Sequence, residues 1–406
     1  MTDAIADPVY AAAPVDGRRW RRTWGAGLVI AALAGGLLHD DGGASADDPV
    51  ADPTVADRLT PPPRTFTVAA VGDLLPEDRV MTRAAEAAAA AGSAARYDFA
   101  PLLAPITPII RWADLAICHM ETPIGRPGDR VGAYGRSSFG GNLLLGPYEF
   151  AQAMRAAGFD RCSTASNHAW DLGAAGIAST LDAMDAAGLG HDGTARSPEE
   201  AAHIDVLTLG GVRVAHLSIT TFTNTPLPGD AWRLDFVGNV DEIVAEVDAA
   251  RAAGAEVVIV SVHIAKEMVS TPMSYDRQFI ADLTSRAHVD LVIEHGPHVV
   301  QPVETVNGTL VYWSVGNLLS GMGLPNRGKY ADERTLDGLL ATVRFTETAP
   351  GVFAASPITL AICNEREGRT VYAPGIALRD PALDPALAAE LYECMARTRA
   401  VVPDAQ

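Results

Sequence analysis

Several apolar runs in this chain end on a side chain able to hold a divalent metal ion. Asp73 follows Val71-Gly72, and Glu121 closes the run Leu115–Met120. Asn167 and His168 sit in the stretch Ser163–Ile177, with Asp171 just behind them. His263 ends Glu256–Val262, and His295 and His298 follow Asp290–Ile293. Carboxylate, amide oxygen and imidazole together suit borderline or hard ions such as Mn, Fe, Zn or Mg. Two such ions about 3.5–4 Å apart would activate a water and clamp the oxygens of a substrate. That chemistry needs a carboxylate that can bridge, imidazoles on either side and few thiolates. Each residue alone has a plain reading: Asp73 in a turn, Glu121 capping a loop, His263 in a core, Asn167-His168 as a helix cap beside a core histidine. The same cargo at successive run ends favours one shared site.

The runs must be strands for this to work, and their composition agrees. Phe66–Val71, Leu115–Cys118, Val206–Leu209, Val212–Ile219, Glu256–Val262, Asp290–Ile293 and Thr309–Ser314 are short, apolar and rich in β-branched residues, as strands are. The nearly continuous run before His263 predicts a strand covered on both faces. Between the strands, 78–92, 149–157, 173–187, 240–253 and 275–286 read as helices, and 101–113 is amphipathic. Strands at 337–346 and 353–362 and a helix over 384–398 close the chain. Alternating strands and helices imply an α/β fold, in which ligands gather at the carboxyl ends of strands. A Gly-rich loop over 125–142 is placed to shape the entrance. No internal repeat is visible.

The chain has 406 residues, 48% of them hydrophobic, and a net charge of −19. That length accommodates one large α/β domain or two to three smaller ones. The acidity argues against a nucleic-acid partner, which calls for clustered Lys and Arg. Cys118, Cys162, Cys363 and Cys394 form no CxxC pair, which argues against a zinc knuckle or thioredoxin-type motif. Outside the cell they could form disulfides, whose pairing the sequence leaves open.

The N-terminal region reads differently. Arg18, Arg19, Arg21 and Arg22 precede an uncharged apolar run from Thr23 to Leu38, and Ala44-Ser45-Ala46 follows. A basic segment, an apolar segment and a small-x-small site form an export signal. Residues 1–46 are expected to be that signal, or an uncleaved signal-anchor that ties the chain to a membrane. The run is shorter than the ~20 residues of a spanning helix. The positive cluster keeps the N-terminus in the cytoplasm and places the rest outside. Residues 47–64, rich in Asp, Ala and Pro, are expected to be a disordered linker, and 65–406 the folded domain. The expected location is extracytoplasmic, secreted or anchored.

In the same order along residues 65–325, the motifs resemble the capsule synthesis protein CapA family, the poly-γ-glutamate branch of the calcineurin-like metallophosphoesterases. Val71–Leu75 resembles its Gly-Asp motif, Asp114–Glu121 its acidic strand, and Ala165–His168 its Asn-Asn-His motif. Ser261–His263 with Glu267, Asp290–Gln301 and Tyr312–Asn317 match its later motifs. Three positions depart. His119 replaces Asn, where it adds a ligand, adds an acid or packs. Ile264-Ala265 replaces Trp-Gly. Gly296 stands where the first histidine of His-Pro-His belongs, with His295 one place earlier.

The resemblance implies a four-layer α/β/β/α sandwich with mixed sheets and two divalent ions. Asp73 and His298 would hold one ion, Asn167 and His263 the other, with Glu121 bridging and His295 completing the second site. His168, oriented by Asp171, would act as acid or charge stabiliser, and His119 joins the catalytic candidates. The implied function is metal-dependent hydrolysis, with a metal-activated water, in the production of capsule or poly-γ-glutamate. A metallophosphoesterase unrelated to capsule and a non-catalytic surface scaffold are the alternatives. The expected partner is an anionic surface polymer or its synthesis machinery, with metal ions or the cluster Arg126, Arg130 and Arg136 mediating contact; the plain reading of those arginines is solvated loop charge.

Overall fold

The computed structural model describes residues 62–227, 229–264, 266–323 and 328–406. The expected export segment and nearly all of the linker lie outside the described residues. Arg64, assigned to the linker end, is already pinned by Glu256 at 2.8 Å and Glu347 at 2.5 Å.

Strand β1 (Thr65–Leu74) is followed by helix α1 (Asp78–Ala90), the short helices α2 (Ala100–Leu103) and α3 (Thr107–Ile110), and β2 (Leu115–His119). A hairpin of β3 (Gly132–Arg136) and β4 (Asn142–Leu145) occupies the Gly-rich stretch expected to be a loop. Then come α4 (Glu149–Ala157), β5 (Arg161–Ser163), α5 (Gly173–Ala187), β6 (Gly190–Asp192) and α6 (Pro198–Ala201). The next segment holds β7 (Val206–Leu209), β8 (Val212–Thr220), α7 (Val240–Ala252), β9 (Val257–His263), α8 (Ser274–Arg286) and β10 (Leu291–His295). Finally come β11 (Val303–Val306), β12 (Thr309–Tyr312), β13 (Asn317–Leu319), β14 (Asp337–Ala349), β15 (Val352–Asn364), β16 (Val371–Tyr372), α9 (Pro374–Ala377) and α10 (Pro385–Val401).

Two mixed sheets result. One runs β16-β15-β14-β1-β2-β5-β6 with β13 joined to β1; the other runs β11-β12-β10-β9-β8-β7. Side chains alternate across a strand with period two, and that alternation sets the layers. Phe66, Val68 and Ala70 of β1 pack with Val257 and Ile259 of β9 and Leu291 and Ile293 of β10, between the sheets. Ala69 and Val71 face the other way, onto Val80 of α1, Phe150 of α4 and Met184 of α5. Val258, Val260 and Val262 of β9 turn outward onto Ile243 and Val247 of α7 and Ile280 of α8. The order is helices, sheet, sheet, helices, the expected four-layer sandwich. Each large apolar side chain buried this way contributes roughly 1.5–3 kcal/mol.

Disulfides join Cys118 to Cys162, across β2 and β5, and Cys363 to Cys394, across β15 and α10. The expected strand Thr309–Ser314 ends at Tyr312. The chain then leaves the second sheet, and Asn317 pairs with Asp73 in the first. No helix among the described residues is long and apolar enough to cross a membrane.

Candidate metal centre

Parallel strands of both sheets end on the same side, and their last residues form two rows. In the first sheet Asn317, Asp73, His119 and Ser163 are successive register partners on β13, β1, β2 and β5. In the second sheet His295, His263 and Thr220 are register partners on β10, β9 and β8. His263 and His295 follow the parity of Ile259 and Ile293, so both turn into the space between the sheets. The two rows meet there: Nε2 of His119 is 2.9 Å from Nδ1 of His263, and the rings of His119 and His295 stack with centroids 4.0 Å apart.

Local backbone geometry makes the approach possible. Gly72 admits β13, since a Cβ there would lie 2.0 Å from the Gly316 carbonyl oxygen. Asp73 N–H then donates to that oxygen at 3.0 Å. After β10 the chain reverses through Gly296 at φ +102° and His298 at φ +58°. The first value explains glycine where the family pattern has histidine, because a Cβ disfavours that conformation. The second is a conformation few non-glycine residues adopt. It carries His298 back to Asp73.

Every expected ligand is buried: Asp73, Glu121, Asn167, His263, His295 and His298 are each at most 4% exposed. Two groups bring ligand atoms within 4.8 Å of one another, Asp73 with Glu121 and His298, and Asp73 with His119 and His295. Nδ1 of His298 is 2.9 Å from Asp73 Oδ2, and its Nε2 is 3.7 Å from Glu121 Oε1. Nδ1 of His295 is 3.5 Å from Asp73 Oδ1, without hydrogen-bond geometry. Asp73 is therefore the carboxylate shared between the groups, whereas Glu121, expected to bridge, falls in one of them. A further group of Asp337, Cys363 and Cys394 has its thiols tied in a disulfide.

Hydrogen bonding tests whether ions fit these groups. Asp73 Oδ1, both oxygens of Glu121, Asn167 Oδ1, His263 Nε2 and both nitrogens of His295 are buried without a hydrogen-bond partner. Buried polar atoms are ordinarily paired, and so many orphans among one set of ligand types is the pattern a cation satisfies. Electrostatics agrees. Burial pushes Glu121 up to about 8, a cost that an adjacent cation would remove. Burial takes His119 well below its ordinary range and His263 down to about 3, so both rings stay neutral and keep a lone pair. Burial opposes a charge on His298 too, but Glu121 and Asp73 outweigh it and lift it to about 10. The same two imidazoles, His295 and His298, outweigh burial at Asp73 and hold it well below the usual carboxylate range.

His168 and Asp171 stand beside this group. Nδ1 of His168 donates to Asp171 Oδ2 at 2.6 Å, and the N–H of Leu144 donates to the same oxygen at 2.8 Å. The β3–β4 hairpin is thereby tied to the dyad. Asn224 lacks any sequence signal, yet its Oδ1 accepts from Asn167 Nδ2 at 3.2 Å. That bond turns the Asn167 oxygen to the unpaired side. Asn317 Oδ1 accepts from Nδ1–H of His298 at 3.1 Å. Its signal was the Gly316-Asn317 motif at a strand end. Ser163, 2.7 Å from His119 Nδ1, carried none. Arg126, Arg130 and Arg136 are exposed along the hairpin segment.

Two curated relatives match about half of this chain. The PGA biosynthesis protein CapA of Bacillus subtilis is 27% identical over 223 residues, 52% of this chain and 54% of that protein. The capsule biosynthesis protein CapA of Bacillus anthracis is 25% identical over 219 residues, 52% of this chain and 50% of that protein. The match thus spans about half the length of each relative. Among solved structures, the calcineurin-like phosphoesterase YfkN of Bacillus subtilis aligns with a TM-score of 0.45 at 13% identity, over 83% of this chain and 98% of that one. The NAD nucleotidase of Haemophilus influenzae aligns at 0.44 and 9%, over 84% and 57%. The family model described as bacterial capsule synthesis protein PGA_cap matches residues 67–322, which contain both rows of strand ends, and the chain belongs to that family.

Proposed function

We propose that this protein is an exported, metal-dependent hydrolase acting in the production of capsule or poly-γ-glutamate. The observation that carries the reading is the set of buried, unpaired ligand atoms on Asp73, Glu121, Asn167, His263 and His295. Asp73, Glu121 and His298 would hold one divalent ion, and Asn167 and His263, with His295, a second. Bound there, such ions supply an activated water and polarise a phosphoryl or acyl oxygen.

The chain's own residues do the rest. Asp171 fixes the ring of His168 through Nδ1, and Nε2, 3.4 Å from Asn224 Nδ2, is the nitrogen that would give or take a proton. Burial works against a charge on His168, but the bond to Asp171 and its charge prevail and raise the pKa. A proton held at His168 suits an acid that protonates a leaving group. Leu144 N–H keeps Asp171 in place, so the hairpin and the dyad move together. Arg126, Arg130 and Arg136 on that segment offer positive charge to an anionic polymer, against the net charge of −19.

Two disulfides among the described residues support an extracytoplasmic location, since such bonds persist in oxidising compartments. The test is elemental analysis of the purified chain, alongside a panel of phosphodiesters and γ-glutamyl amides. Divalent metal near two ions per chain with metal-dependent turnover supports the reading. A chain that takes up no divalent ion and turns over nothing on the panel rejects it.

A further inference from the structure

We infer that His119 is a positioning residue that locks His263 in the tautomer a cation requires. The inference rests on the metal-dependent reading above. His119 lies between two fully buried partners, Ser163 Oγ at 2.7 Å from its Nδ1 and His263 Nδ1 at 2.9 Å from its Nε2. A neutral imidazole has one N–H and one lone pair, so the chain of contacts runs in one of two directions.

In the first direction, Ser163 donates its hydroxyl proton to the Cys118 carbonyl at 3.4 Å and accepts from Nδ1–H of His119. The lone pair on His119 Nε2 then accepts from Nδ1–H of His263, and Nε2 of His263 is left with a lone pair. In the opposite direction, Ser163 donates to His119, and His119 donates to His263. Nε2 of His263 then carries a proton with no acceptor, because that atom is buried and unpaired. An orphaned buried donor forfeits the hydrogen bond it would make with water and is strongly disfavoured. The first direction leaves no such donor, and its loose end is a lone pair on Nε2 of His263, the kind of atom a cation satisfies.

The fold holds the relay rigidly. Asp73, His119 and Ser163 are register neighbours on β1, β2 and β5. The ring of His295 stacks on His119 at 4.0 Å and limits its rotation. A ligating histidine usually gives its second N–H to an oxygen acceptor, which fixes ring and tautomer. Here an imidazole takes that role. With Oδ1 of Asn224 fixing the amide of Asn167, two of the three expected ligands of the second ion are oriented from behind.

The test uses the full chain, stripped of metal and labelled with ¹⁵N-histidine, and a calorimetric titration with Zn²⁺. In the metal-free wild type, Nε2 of His263 is expected to resonate as an unprotonated nitrogen and Nδ1 as a protonated one. The reverse assignment overturns the inference. His119→Leu, which offers no acceptor, is expected to weaken one Zn²⁺ site about 10–100-fold and leave the other unchanged. His119→Gln, whose amide oxygen can accept from His263, is expected to restore most of that loss. Unaltered binding in His119→Leu overturns the relay. Equal losses in both variants also overturn it and make the imidazole a ligand or a packing element. Should His119→Leu fail to fold, the wild-type tautomer still decides. A wild-type chain that binds no Zn²⁺ rejects the metal-dependent reading, while the tautomer measurement judges the relay separately.

Discussion

Nδ1 of His298 lies 2.9 Å from Oδ2 of Asp73, and both side chains are cut off from solvent. The pair stabilises the chain before any ion arrives. An unaccompanied buried carboxylate is costly, and removing one member of a buried pair typically destabilises by about 3–5 kcal/mol. His298→Ala is therefore expected to lower the melting temperature of the metal-free protein, beyond its effect on metal binding. Thermal denaturation of chelator-treated wild type and variant measures this. Equal melting temperatures would mean that Asp73 finds other partners as good.

Glu121 leads to a complementary expectation. Burial, with the nearby charges of Asp73 and Glu267 adding to it, pushes its carboxyl up to about 8, and neither oxygen has a hydrogen-bond partner. An ion that satisfies both should stabilise the fold by mass action, about 2.7 kcal/mol when its concentration is 100 times Kd. Adding Zn²⁺ or Mn²⁺ to the stripped protein should raise its melting temperature. Glu121→Gln should melt no lower than wild type without metal, because a neutral amide replaces a strained carboxyl, and should gain less when metal is added. A metal-induced shift as large in Glu121→Gln as in wild type would remove Glu121 from the ligand set.

His168 separates catalysis from metal binding. It is held by Asp171 at 2.6 Å and belongs to neither group of converging ligand atoms. His168→Ala should lower turnover by about 10²–10⁴-fold, the usual contribution of a general acid or base, with metal content unchanged. Parallel loss of turnover and metal would reassign it as a ligand.

The strand ends were legible in the sequence because the apolar runs are short, β-branched and closed by polar residues. Asp73, Glu121, Asn167, His263, His295 and His298 announced themselves that way; the structure gathers Glu121 and His298 about Asp73, brings His295 to the same carboxylate beside His119, and sets His263 against His119. What stayed hidden depended on register. Ser163 and His119 become neighbours only because β2 and β5 pair residue for residue. The division of labour between Asp73 and Glu121 depends on which oxygen faces which ring, a distance that composition does not encode. Asn224 lies in a loop with no periodicity, and its role emerges only once that loop folds over Asn167. The hairpin β3–β4 was missed for another reason: Gly132, Gly135, Gly140 and Gly141 mask a strand signal, since glycine is depleted in strands.

Gly72 offers a test of how closely the two motifs at Asp73 and Asn317 must approach. A methyl group at that position would sit 2.0 Å from the Gly316 carbonyl oxygen and 2.7 Å from its carbon, both backbone atoms. Backbone cannot swing aside as a flexible side chain can. Gly72→Ala should cost the upper part of the about 1–3 kcal/mol typical of overpacking, or more, and should push β13 away from β1. Denaturant unfolding reads the first effect, and Zn²⁺ affinity reads the second, because Asp73 and Asn317 both contact His298. An alanine tolerated on both counts would show that the strand pair has slack.

The two disulfides should differ in what they support. Cys363–Cys394 fastens α10 to β15, neither of which carries a residue of either row of strand ends. Its removal by Cys363→Ser with Cys394→Ser should cost about 2–5 kcal/mol, as for other native disulfides, and leave Zn²⁺ affinity as it was. Cys118–Cys162 joins β2 and β5 one residue before His119 and Ser163, the register pair whose side chains meet at 2.7 Å. Cys118→Ala with Cys162→Ala should cost a comparable amount of stability. It should also weaken the Zn²⁺ site that contains His263, because the strands that fix His119 against Ser163 are no longer clamped. Calorimetry and thermal melts on the two double variants compare these effects directly. Equal influence of both bonds on Zn²⁺ affinity would mean that the metal centre responds to global stability, and a Cys118–Cys162 variant with wild-type affinity would show that the strand pairing alone holds the relay.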